Sequence, residues 1–64
     1  MKLDEQKILS YMAEKNWNNT MLSKESEVSR QTISYILSGK TCSPITAGKI
    51  AKALEIPVKE IMED

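Results

Sequence analysis

The segment Val28–Lys40, VSRQTISYILSGK, crowds hydrogen-bonding side chains together: Ser29, Arg30, Gln31, Thr32, Ser34 and Tyr35. As a helix it turns Ile33, Ile36 and Leu37 to one side and leaves Arg30, Gln31, Ser34 and Tyr35 pointing elsewhere. Such a set suits recognition rather than bond-breaking. The chain has no His and a single cysteine, Cys42, and no nucleophile has a base visible beside it, so an enzyme is not expected. The same composition rules out a zinc site of the usual kind and an intrachain disulfide. No cofactor, metal or small-molecule ligand is implied.

The groups offered match the major-groove edges of base pairs. Arg pairs bidentately with guanine O6 and N7, and Gln with adenine N6 and N7. Arg30 and Gln31 stand in the first turn of the segment, the part of a recognition helix that reaches bases. Each also has an ordinary reading. Exposed helix positions often carry Arg and Gln, and Tyr35 can lay its ring on the domain and expose only its hydroxyl.

The elements that must hold this segment are helical. With 41% hydrophobic and 28% charged residues the 64-residue chain reads as one small globular domain, spanning 1–64. Five helices fit the apolar spacing, and no stretch alternates long enough for a strand. The first covers about Leu3 to Lys15, with Ile8, Leu9, Met12 and Ala13 inward, Asp4 and Glu5 in its first turn and Asn16 as a left-handed stop. The second, about 19–26, is capped by Asn18 or Asn19 and turns Met21 and Leu22 inward. Ser29 caps the third, about 30–37, which Ser38-Gly39 ends. Ser43-Pro44 opens the fourth, with Ile50, Ala51 and Leu54 inward, and mid-helix Gly48 suggests a close helix approach. Pro57 opens a short fifth helix holding Val58, Ile61 and Met62.

Net charge is zero, but its distribution is uneven. From Val28 to Leu54 there are four basic residues, Arg30, Lys40, Lys49 and Lys52, and no acidic ones. Small proteins segregate charge by chance; the functional reading is a positive face for a polyanion. No apolar run reaches the ~18 residues of a membrane helix. No signal peptide opens the chain, so a cytoplasmic protein is the expectation.

In order and spacing, "VSRQTIS", "SGK" and "SPITAGKIAKALEIP" make the chain similar to the phage-repressor and Cro-like, or XRE-type, helix-turn-helix family, from about Ile8 to Met62. The resemblance implies an all-α, five-helix lambda-repressor-like domain that binds a double-stranded DNA operator, commonly as a homodimer, and represses transcription. Position by position, it implies base contacts by Arg30, Gln31, Ser34 and Tyr35. It implies backbone contacts by Asn19, Ser29, Thr32, Lys40 and Thr41. A dimer surface is expected at Ile56, Val58, Ile61 and Met62, whose apolar character exceeds what a short helix needs for its own docking.

Three positions depart from the family pattern. Glu27 occupies the turn position that favours Gly, so a positive φ there is strained. Ala47 stands where a leucine is usual. Met12 and Leu37 replace a frequent ion pair, and an apolar contact between them is expected. Two functions remain open: a sequence-specific DNA-binding regulator, or a protein-binding module, such as an anti-repressor, that keeps the fold without binding DNA.

Overall fold

A computed structural model describes residues 1–63. The chain forms four α-helices, α1 (Glu5–Lys15), α2 (Asn19–Ser26), α3 (Arg30–Leu37) and α4 (Pro44–Ala53), followed by a single 3-10 turn, Val58–Glu60. Each helix begins on a capping side chain that accepts a first-turn N–H, which would otherwise lack a partner. Asp4 accepts from Gln6 and Lys7 at 3.0 and 3.2 Å. Asn18 accepts from Met21 at 2.9 Å, Ser29 from Thr32 at 3.1 Å and Ser43 from Thr46 at 3.2 Å.

Each helix also ends on a residue with positive φ: Asn16 (59°), Glu27 (60°), Gly39 (95°) and Glu55 (61°). Three of these ends share one bonding pattern. After α1, Trp17 N–H reaches Met12 O at 2.9 Å while Asn16 N–H reaches Ala13 O at 3.1 Å. The same pair of bonds recurs at Gly39–Lys40 and at Glu55–Ile56. This is the Schellman arrangement, which satisfies the last carbonyls of a helix and reverses the chain. Glu27 uses the simpler single bond, to Ser23 O at 2.9 Å.

The core is one cluster. Ile8 and Met12 come from α1, Leu22 from α2, Ile33 and Ile36 from α3, and Ala47, Ile50 and Ala51 from α4. Leu3, Val28, Leu54 and Ile61 complete it from the connecting segments. Helix α2 packs on both α3 and α4, and α4 packs on the 3-10 turn. Leu37 lies half-buried against the cluster that contains Met12. Ala47 is wholly buried, so the position keeps a core role with a smaller side chain.

Several expectations need correction. The fifth helix is only the turn Val58–Glu60, because residues 61–63 are drawn into extended pairing with the N-terminal segment. Asp4 N–H donates to Ile61 O at 2.7 Å and Glu63 N–H to Lys2 O at 3.1 Å. On the other side of the segment, Cys42 N–H donates to Met1 O at 2.8 Å. Leu3 therefore lies outside α1, buried in this clasp, and Asp4 is the cap rather than a first-turn residue. Leu9 and Ala13 are exposed, not inward. Gly48 marks no close helix approach: a Cβ placed there would meet nothing within 4 Å.

Three substitutions test these backbone facts. Gly48→Ala should stabilise the fold by about 1 kcal/mol, since glycine in an exposed helix interior costs about that much against alanine. Glu27→Gly should also stabilise, by roughly 0.5–1 kcal/mol: it relieves a left-handed conformation costing ~1–2 kcal/mol for a residue with a Cβ and gives part back as chain entropy. Glu27→Ala should show no such relief of strain. Thermal unfolding measures all three, with about 4–8 °C expected per kcal/mol in a domain of this size.

Candidate nucleic-acid interface

The turn between α2 and α3 sets the angle at which α3 is presented. Ser26, the one buried polar residue at this point, donates its hydroxyl to Leu22 O and accepts from Val28 N–H at 3.3 Å. Val28 is buried directly after the left-handed Glu27. Ser29 then caps α3, and its hydroxyl donates to Thr32 Oγ1 at 2.8 Å. Ser29 and Thr32 thus have a structural task at the start of the helix, whatever else they touch.

Helix α3 buries Ile33 and Ile36 and exposes Arg30, Gln31, Ser34 and Tyr35. Tyr35 is 55% exposed, so its ring is not laid away on the domain. Among the described residues, the side chains of Gln31 and Ser34 and the Tyr35 hydroxyl have no intramolecular hydrogen-bond partner. Arg30 differs: its Nη1 lies 3.4 Å from Thr20 Oγ1 on α2. The guanidinium therefore leans along a groove that runs between the start of α2 and the start of α3, with Leu9, Trp17, Asn19 and Thr20 on its walls. Thr20 and Leu9 were invisible as site residues in the sequence. Thr20 is an unremarkable first-turn residue, and Leu9 has the spacing of a core residue yet is 43% exposed.

The remaining candidates are dispersed around this helix. Asn19 is the first residue of α2 and half-buried; the cap itself is Asn18. Lys40 and Thr41 are exposed in the connection after α3. That connection is pinned, because Thr41 bridges Lys2 and Cys42 bonds Met1. Of the C-terminal residues, Ile61 is 0% exposed and is removed from the dimer surface: the apolar surplus there is spent on the domain's own core. Ile56 and Val58 are half-buried against the same core, and Met62 is 37% exposed.

The positive face is also narrower than the sequence suggests. Lys49 and Lys52 do not extend it; they line a surface depression together with Glu25, Glu27 and Glu55. Acids from outside the acid-free stretch are folded back onto two of its four cations. Of the four, Arg30 on α3 and Lys40 just after it are exposed away from that depression, and the groove beside α3 is lined without an acidic side chain.

A helix-turn-helix family model matches residues 8–61, which takes in α1 from Ile8 onward, the other three helices and the 3-10 turn. The chain belongs to that helix-turn-helix family. It is the Cro- and XRE-like family of DNA-binding regulators that the sequence resembles, a family that is typically non-enzymatic. No curated protein and no solved structure matches the chain significantly. Among the described residues no helix is long and apolar enough to cross a membrane, and no group of His, Cys, Asp or Glu is placed to hold a metal ion.

Cys42 lies half-buried beside this surface, and burial pushes its thiol up from the ordinary value, with the nearby α-ammonium pulling weakly the other way. A raised pKa means less thiolate at neutral pH, and thiolate is the reactive form. Alkylation of Cys42 at pH 7 should therefore run slower than that of an unfolded-chain thiol, and its rate should go on rising with pH after that of the unfolded-chain thiol has levelled off; following labelling by mass spectrometry checks this.

Proposed function

We propose that this helix-turn-helix protein is a sequence-specific repressor that reads the major groove of an operator with α3. The observation that supports the reading best is the outer face of α3. Arg30, Gln31, Ser34 and Tyr35 are exposed together on a helix whose only buried residues are Ile33 and Ile36. The side chains of Gln31 and Ser34 and the Tyr35 hydroxyl, left without partners, and the Arg30 guanidinium, held by one long bond to Thr20, are suited to the donors and acceptors of base edges. Asn19, Ser29, Thr32, Lys40 and Thr41 flank that face and would meet phosphates, which fix register without reading sequence. Repression then follows from occupying DNA that the transcription machinery needs.

The protein works as a homodimer in this reading. An eight-residue α3 is only about 12 Å long and covers a few base pairs. A two-fold pair reading half-sites about 34 Å apart supplies the missing specificity. Met62, with the exposed edges of Ile56 and Val58, offers apolar surface for it. Sedimentation should show a dimer on operator DNA; a monomer both free and on DNA at high micromolar concentration would count against this surface. The alternative, a protein-binding module of the same fold, draws support from zero net charge and from the acids gathered around Lys49 and Lys52. Salt-dependent binding to duplex DNA separates the two.

Arg30, Gln31 and Lys40 should fail differently when changed. Arg30→Ala and Gln31→Ala should each cost ~1–3 kcal/mol on the preferred site and relax selectivity at one or two base pairs. Lys40→Ala should weaken binding to all sequences alike and lower the salt slope by about one. Selection of bound sequences from random duplex DNA, followed by titrations of each variant at several salt concentrations, measures both effects. Unchanged affinity and preference in Arg30→Ala and Gln31→Ala would hand the account to the protein-binding alternative.

A further inference from the structure

We propose that Tyr35 is a thymine reader: its ring packs on the 5-methyl group of a thymine in each half-site. The inference rests on the reading of α3 as the major-groove helix. Ser34 and Tyr35 stand three and four residues after Gln31, so each lies next to Gln31 on the helix surface. All three are exposed, and Tyr35 is the only large apolar side chain among them, with 55% of its surface open. The apolar area of a ring so placed is best matched by a partner that is also apolar, because burying it there removes both from water. On the major-groove edges of the four unmodified bases the one bulky apolar group is the thymine methyl; cytosine offers only a C5–H at that position, and the remaining features are donors and acceptors. Gln31 and Ser34 can take those polar groups, which leaves the methyl for the ring.

The spacing also sets where the thymine lies. Tyr35 is four residues after Gln31, about 6 Å along the helix. Base pairs rise about 3.4 Å per step. The thymine therefore falls within two base pairs of the pair that faces Gln31.

The test starts from the duplex recovered by selection from random DNA. Each thymine of a half-site is replaced singly by deoxyuridine, which removes the methyl and leaves every base-pairing group in place. Binding is then measured for the unaltered protein, Tyr35→Phe and Tyr35→Ala. One replacement should weaken the unaltered protein about fourfold, the equivalent of the ~0.8 kcal/mol of one buried carbon group. Tyr35→Phe should keep that sensitivity. Tyr35→Ala should bind the thymine duplex about as weakly as the unaltered protein binds the uracil one, and should no longer distinguish the two. If no uracil replacement matters while the duplex is still bound selectively, the methyl contact is wrong and the α3 reading stands. If Tyr35→Phe loses as much as Tyr35→Ala, the hydroxyl makes the contact and the proposal is equally overturned. If selection enriches no sequence at all, both this inference and the reading beneath it fall.

Discussion

The single residue of positive φ that ends each helix is the constraint on which the rest of this structure depends. Four helices in so short a chain leave connections of a few residues, and each connection must stop one helix and aim the next. Asn16, Glu27, Gly39 and Glu55 do this with one left-handed residue apiece and no long loop. The reversal at Asn16 brings Trp17 and the Asn18 cap into position to start α2. The reversal at Glu27 delivers Val28 to the core and Ser29 to the cap of α3. Helix α3 keeps its polar face free because its orientation is held by the turn before it and by Ile33 and Ile36 in the core, rather than by contacts of that face.

Only one of the four terminators is glycine, and this explains much of what was and was not legible in the sequence. Asn16 could be read as a stop because Asn tolerates the left-handed region. Glu27 was marked by its position in the family pattern. Glu55 carried no signal, since nothing about a glutamate announces positive φ. The caps Asn18, Ser29 and Ser43 were readable because their side chains act on N–H groups three residues on, a local interaction that spacing alone reveals.

Features that depend on distant parts of the chain were not readable. Leu3 has the look of a helix residue, but its segment finds backbone partners near residues 42 and 61–63, and pairing across the chain overrides local propensity. Ile61 looks like spare apolar surface until the clasp turns it inward. The same holds for charge. Lys49 and Lys52 lie in an acid-free stretch of sequence, yet folding sets Glu25, Glu27 and Glu55 beside them. Contiguity in sequence was enough to mark the exposed polar face of α3 because a helix face is local; it failed for the positive face because a surface is not.

That failure bears on how a protein with no net charge can approach a polyanion. The two ends of α2 are about 12 Å apart, given its eight residues. At physiological ionic strength charges are screened over about 8 Å. The acids at the C-terminal end of α2, Glu25 and Glu27, therefore weigh little on the groove at its N-terminal end, where Arg30 leans on Thr20. What a phosphate approaching α3 senses is the local set: Arg30, the Lys40 connection and the first-turn N–H groups of α2, with no carboxylate lining the groove. Zero net charge limits long-range steering rather than contact. If α3 reads DNA as proposed, association should then depend less on electrostatic attraction from afar than on the fit of a small, pre-oriented helix, and a greater share of the selectivity would fall on the uncharged side chains Gln31, Ser34 and Tyr35.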